Sequence, residues 1–474
     1  MIAIDRNDPT PFYQQIHHQV VRGIESGLYR VGDRLPSIRP FAQQLGVSRN
    51  TVEQAYLELV QEGYVNSRQG SGYYVSLAAT PRRAEQSFGI EYRQALAALQ
   101  AHDRAQTPAK PRFDFNVEGA DPDTFPFYRW ARISRDVMLD EGRMGACKPM
   151  DPRGLGAFRE QIARHLAKDQ DIVAQPEQIA VFPSVGHAMA SVLRLLAENG
   201  YGAVFEDPCQ PKVSRAIRES GIPAVGSILN RREIRGGAVR TTHGHPHVVC
   251  VSPENRYPTN TAMSLDERKR LVAWAGQTDS LLLENTYCHE FRFGGAHVPT
   301  LHALSTDGRV IVVGSFAESL SPSMGIAYLV LPPSLMIRWL KQRGQSGQVP
   351  WHVQATFAEF MRQDLWTAHL RRLQTSLRHK RHAMAVALET HMGDAASFIQ
   401  QESSLHMLIR VKDSRPESEL VELAARKGVR VYPTADTWTS TAPAGWNYVM
   451  AGYAGIPLDD IEPGIAALAQ AWFE

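Results

Sequence analysis

Residues 35–75 read LPSIRPFAQQLGVSRNTVEQAYLELVQEGYVNSRQGSGYYV, and this stretch decides the first fold of the chain. Pro36 marks a helix start and Ser37 a capping residue, and Phe41, Ala42 and Leu45 recur on one face until Gly46 ends the helix. A four-residue turn, GVSR at 46–49, leads into a second helix that turns Val52, Ala55, Tyr56 and Leu59 inward. Two short helices joined by a tight glycine-containing turn make a helix-turn-helix. After Gly63 the residues alternate around Gly70 and Gly72, a hairpin signal. Upstream, PFYQQIHHQVVRGIESG at 11–27 places Phe12, Ile16, Val20 and Ile24 on one helical face and stops at Gly27. Helix, helix-turn-helix and hairpin in that order predict a winged helix over residues 1–76.

The polar residues on this scaffold suit a DNA duplex. Ser48, Arg49, Asn50 and Thr51 begin the second helix of the pair, the end that enters a major groove. Arginine pairs with guanine and asparagine with adenine, while serine and threonine suit phosphates or either base. Arg39, near the first helix of the pair, is placed for the DNA backbone. Arg68 and Gln69 sit on the wing beside Gly70, where a bare main chain approaches closely. Residues 1–80 hold seven Arg, no Lys and seven Asp or Glu, so DNA affinity must come from where the arginines sit rather than how many there are. Over its full length this string resembles the GntR-family DNA-binding domain, and the resemblance implies Arg39, Arg49, Gln69 and Gly70 as contacts to double-stranded DNA.

The whole chain has 474 residues, 43% hydrophobic and 21% charged, with a net charge of +2, values of a globular protein of two or three domains. Cys147, Cys209, Cys250 and Cys288 are far apart and read as reduced thiols, mostly buried. No run of eighteen apolar residues and no signal-peptide pattern occur, which predicts a cytoplasmic protein with no membrane partner. Residues 77–110 are rich in Ala, Pro and charge around EYRQALAALQ, a linker with one short helix, in which Arg82 and Arg83 read as solvated.

From residue 111 to 474 short apolar runs (QIAVF, GAVFEDP, HVVCVSP, DSLLLENTY, RVIVVGS, AYLVLP) alternate with amphipathic helices such as LGAFREQIARHLA. Buried strands separated by helices predict an α/β domain with a mainly parallel sheet, whose ligands sit beyond the carboxyl ends of the strands. THGHPH (242–247) alternates three histidines, His243, His245 and His247; they read as exposed loop residues, and no metal is expected. Cys288 and His289, adjacent on a strand end, read as a buried thiol and its neighbour rather than a reactive pair.

The segments DPRGLGAFREQIARHL, FEDPCQP, VSPENRYPTNTAMS, ENTYCHEFRF and VVGSFAESLSPSMGIAYLV resemble successive landmarks of the fold-type I aminotransferases. Behind a GntR-type head, this arrangement resembles the MocR subfamily of regulators. The resemblance implies a fold-type I domain with a small C-terminal α+β subdomain, dimer formation, and pyridoxal phosphate held by a lysine, an aspartate and an arginine. Those positions carry other residues here. The lysine falls on Glu318 in Ser315-Phe316-Ala317-Glu318, the aspartate on Asn285, the arginine on Gly325 and a tyrosine on Gln210; a substrate-binding arginine aligns with Met450. Tyr287 is kept, and Ser184 aligns with the phosphate loop. Each change removes a different contact to one cofactor, and a carboxylate forms no imine. The reading is therefore a homodimeric transcription regulator whose large domain is catalytically inactive and needs no cofactor. It would sense a small effector in a remodelled pocket lined by Ser184, Gln210, Arg256, Asn285, Tyr287, Ser315 and Glu318. The alternatives are a regulator that still binds pyridoxal phosphate, an aminotransferase with a DNA-binding appendage, and an inert dimerisation scaffold.

Overall fold

A computed structural model of the chain describes all residues except 1, 7, 69–70, 77–89, 107–110, 122, 141–144, 146, 228–246, 292–297, 344–348, 400–403 and 444. It divides into two compact units, Met1–Ala109 and Lys110–Glu474.

The first unit holds α1 (Phe12–Glu25), α2 (Ile38–Leu45), α3 (Arg49–Gln61), the antiparallel hairpin β1 (Val65–Arg68) and β2 (Gly72–Val75), and α4 (Ile90–Gln106). The last is longer than the ten-residue helix read from the sequence. Ile16, Val20 and Ile24 of α1 meet Phe41 and Ala42 of α2, Val52, Ala55, Tyr56 and Leu59 of α3, and Val65 and Val75 of the hairpin in one core. Phe12, expected inward, is exposed because it opens the helix, beyond the last core layer. Gly46 closes α2 at φ +66°, a left-handed turn that glycine enters without strain and that fixes the angle between α2 and α3. Ser37 precedes α2 but makes no side-chain cap bond.

In the second unit the elements are β3 (Phe113–Asp114), α5 (Phe127–Asp140), α6 (Gly156–Asp169), β4 (Ile179–Phe182), α7 (Val185–Glu198), β5 (Gly202–Glu206), α8 (Pro211–Ser220), β6 (Ala224–Ser227), β7 (His247–Val251), α9 (Leu265–Gln277), β8 (Leu281–Asn285), α10 (Leu301–Leu304), β9 (Val310–Ser315) and β10 (Ala327–Val330). They continue with α11 (Pro333–Arg343), α12 (Trp351–Arg362), α13 (Leu365–Met392), β11 (Ala396–Ile399), β12 (His406–Val411), α14 (Glu417–Arg426), β13 (Val429–Arg430), β14 (Tyr432–Pro433), β15 (Tyr448–Gly452) and α15 (Leu458–Phe473).

The main sheet has seven strands in the order β4-β10-β9-β8-β7-β5-β6, parallel except where β10 runs against both its neighbours. Side chains alternate across it. On β9, Val310 and Val312 face α6 and α12, while Ile311 and Val313 face α7 and α8. Both faces are covered, which is why the strands read as continuous apolar runs. A second, antiparallel sheet, β11-β12-β15-β14, packs with α14, α15 and part of α13 around its own core. The architecture is thus α/β with a small C-terminal α+β subdomain.

Buried ion pairs tie these layers together. Lys380 on α13 meets Asp121 at 3.1 Å and donates to the Ala454 carbonyl, and Arg268 on α9 meets Glu254 at 2.7 Å. His165 on α6 lies 2.8 Å from Asp169 and 3.8 Å from Glu290. Burial works against its cation, but the two carboxylates prevail and raise its pKa to about 9.

Candidate functional site

The head presents an exposed polar edge at the start of α3. Ser48 is the cap of that helix: its Oγ accepts from the Thr51 backbone N–H at 3.1 Å and pairs with Thr51 Oγ1 at 2.7 Å. Both hydroxyls thereby hold the helix start together. Arg49 and Asn50 are exposed beside them, and their side chains make no hydrogen bond among the described residues. Arg39 is exposed on α2. On the wing the Arg68 guanidinium lies 4.5 Å from the centre of the Tyr74 ring, which stiffens it while leaving its donors exposed. Gln69 and Gly70 lie outside the described residues. The sequence reading missed Arg34. It is exposed, bridges to Tyr74 on the wing, and runs so close to Gly72 that a Cβ there would stand 3.1 Å from its Nε.

In the large unit the seven residues expected to line one pocket do not all border one cavity, although Tyr287 and Glu318 meet at Lys212, which borders the same cavity as Ser184. Ser184 caps α7: its Oγ accepts from the His187 N–H at 3.3 Å and lies 2.8 Å from the His187 ring. It borders a cavity of about 510 Å³ between α7 and α8. Gln210 and Asn285 line a different space of about 20 Å³, together with Tyr257 and Ser252. There Asn285 Nδ2 donates to Ser252 Oγ at 3.3 Å, and Gln210 Oε1 is buried without a partner among the described residues. Arg256 Nε meets the Glu206 carboxylate at 3.0 Å while the Ser252 N–H donates to the other oxygen at 2.8 Å, and Arg256 Nη2 is buried without a partner among the described residues. Ser315 Oγ accepts from the Ala317 N–H at 2.9 Å.

Glu318 has a partner the sequence reading missed. Lys212, in the first turn of α8, places its Nζ 2.9 Å from Glu318 Oε1 and 5.5 Å from the centre of the Tyr287 ring. Burial alone would raise the Glu318 carboxyl, but the Lys212 ammonium more than cancels this and holds it below its usual range. The same pair, against the burial that opposes it, holds the Lys212 ammonium above its usual value. Tyr287 is buried edge-on to Tyr257, and burial keeps its phenol well above the ordinary range. Lys212 follows Gln210 by two residues, and the signal for it was a lysine close in sequence to a residue already assigned to the pocket.

The donor set here does not fit pyridoxal phosphate. Glu318, where the resemblance would set the imine-forming lysine, is a carboxylate already paired to Lys212. The position for a pyridinium partner is an amide bonded to Ser252. The space beside it admits about one water, not a ring. Gly325, at the arginine position, has φ +56°, and a Cβ there would stand 2.8 Å from the Pro183 carbonyl, so the backbone itself excludes a side chain.

Three residues weighed for other chemistry also have places. His243 and His245 lie outside the described residues, and His247, expected exposed in a loop, is instead buried because it begins the central strand β7. Cys288 is buried, and burial pushes its thiol well up, while His289 turns to the Asp169 carbonyl at 3.1 Å. Among the described residues no group of three or more metal-binding side chains occurs, and no helix is long and apolar enough to cross a membrane.

Comparison with known proteins accords with both units. Residues 12–75 match the gntR family of bacterial regulatory proteins, and residues 121–443 match aminotransferase class I and II. The HTH-type transcriptional regulator YhdI of Bacillus subtilis is 29% identical over 482 residues, covering 99% of this chain and 97% of that one. The probable rhizopine catabolism regulatory protein MocR of Rhizobium meliloti is 27% identical, covering 100% and 96%. An archaeal alanine:glyoxylate aminotransferase shares the fold of the large unit, with a TM-score of 0.70 at 21% identity over 79% of this chain and 94% of the other. With its family match spanning the large unit and a gntR-type module ahead of it, the chain belongs to the aminotransferase class I and II family and has the two-part build of the MocR-type regulators.

Proposed function

We propose that this chain is a cytoplasmic, homodimeric DNA-binding transcription regulator whose aminotransferase-like unit senses a small effector and neither transaminates nor holds pyridoxal phosphate covalently. The observation that carries the second half is the Lys212–Glu318 pair, which sets a neutralised carboxylate where imine chemistry needs a free lysine. The first half rests on the exposed Arg49 and Asn50 at the start of a capped α3. A dimer would bring two heads to two half-sites. An effector shifts those heads only if it binds two arrangements of the protein with different affinity, so ligand and DNA binding are reciprocally coupled.

The test is selection of sheared genomic DNA on the full-length protein, followed by an anisotropy titration of the recovered fragment. Arg49→Ala should weaken binding by about 1–3 kcal/mol, roughly 5- to 150-fold in Kd. Recovery of no specific fragment would end the regulator reading, and an unchanged Kd would remove Arg49 from the contacts.

A further inference from the structure

The cavity of about 510 Å³ beside Ser184 is a trough between two parallel stripes of side chains. On α8 the stripe is Lys212, Arg215, Ala216 and Glu219; on α7, Ala190 and Arg194 oppose it. The spacings of three, four and seven residues put each stripe on one helix face. Small residues leave the floor open and apolar, and the rim is charged.

That rim is unbalanced. Arg215 is exposed and has no ion pair or hydrogen bond among the described residues. Arg194 makes a long bond, 3.4 Å, to the Glu219 backbone carbonyl. Lys212 shares its charge with Glu318 at one end of the trough. With Lys212 matched by Glu318, Arg215 and Arg194 face one carboxylate of the lining, Glu219. Its volume lies in the range that encloses a metabolite. None of Gln210, Asn285 and Tyr287 borders it, so it is a separate space from the one around Asn285.

We propose that this trough is the effector site and that it takes a small organic anion, a carboxylate or phosphomonoester on an apolar body. The anionic group is held by Arg215 and Arg194, and the body lies over Ala190 and Ala216. Lys212 then couples the site to the strand end. An anion beside its ammonium competes with Glu318, and a weakened Lys212–Glu318 pair alters the segment after β9. The inference rests on the sensing role proposed above and adds the ligand's chemistry and its seat.

The test is calorimetric titration of the full-length protein with benzoate, succinate, phenyl phosphate and inorganic phosphate, with benzamide as the neutral control. Arg215→Glu and Arg194→Gln are titrated alongside, with the molar mass of every sample followed by light scattering. The expected result is saturable binding of an organic anion, absent for benzamide and weakened roughly 10- to 100-fold in Arg215→Glu, as loss of a charge-assisted contact dictates. Preference between benzoate and phenyl phosphate then separates a carboxylate from a phosphate ligand. Binding of inorganic phosphate alone, equal binding of benzamide, or no saturable binding would overturn the proposal. So would an anion affinity unchanged in Arg215→Glu, or a change of molar mass in that variant without any anion binding, which would make the trough a contact between copies. No DNA enters this titration, so its failure is distinct from failure of the DNA-binding reading.

Discussion

Removing one member of the Lys212–Glu318 pair should cost more than removing both. The two side chains are unequally buried: Lys212 keeps 32% of its surface exposed and Glu318 only 12%. Lys212→Met strands the carboxylate in the drier position, and the cost of an orphaned buried charge, about 3–5 kcal/mol when complete, should come to roughly 2–3 kcal/mol here. Glu318→Gln leaves an ammonium that still reaches water, a loss of about 1 kcal/mol. The double variant leaves no charge uncompensated and should lose only about 1 kcal/mol, giving a coupling of roughly 2 kcal/mol. Lys212→Met should also destabilise less at low pH, because the stranded Glu318 can then protonate. Urea unfolding of the four full-length proteins at pH 7, followed by far-UV circular dichroism, measures the cycle. A coupling below about 0.5 kcal/mol would mean that the pair is an ordinary surface contact and would refute the reasoning.

Three further outcomes follow from the same structure. The folded pKa of His165, about 9, exceeds its unfolded value of 6.5; its contribution of roughly 3 kcal/mol is complete below pH 6.5 and lost as pH rises through about 9. Wild type and His165→Gln should therefore converge in stability between pH 6.5 and 9.5, and parallel curves would exclude a charged His165. Arg68→Ala on the wing should weaken binding about equally across DNA sequences and lower the salt slope of log K by about 1, whereas a sequence-selective loss would make Arg68 a base reader. Gly325→Arg should cost about 1–3 kcal/mol by chemical unfolding, because φ is +56° and the Pro183 carbonyl blocks the new Cβ; a neutral result would show that this turn can relax.

Local rules made the head legible. The inward faces of α1, α2 and α3 follow a helical period, and Gly46 falls where a left-handed residue is required. The six strands read as apolar runs are buried on both sides of the sheet, so their pattern carried them. The strand β6 escaped because AVGS is short and exposed at the sheet edge. That β10 runs antiparallel between β4 and β9 is a fact of long-range pairing with no local trace.

In the cleft, residue identities were legible and contacts were not. Glu318 stood out as a carboxylate in a lysine's place, yet its partner lies 106 residues away. Arg256 looked like a free pocket cation, but Glu206, fifty residues earlier, claims it. Ser48 and Thr51 read as contacts to phosphates or bases, and the geometry engages their hydroxyls in the helix cap.

The most direct measurement is a titration of the purified full-length protein with pyridoxal phosphate, followed by visible absorbance, borohydride reduction and intact mass. No stoichiometric coloured species and no stoichiometric adduct should form. One equivalent of cofactor fixed to a single lysine of the large unit, Lys212 included, would contradict it.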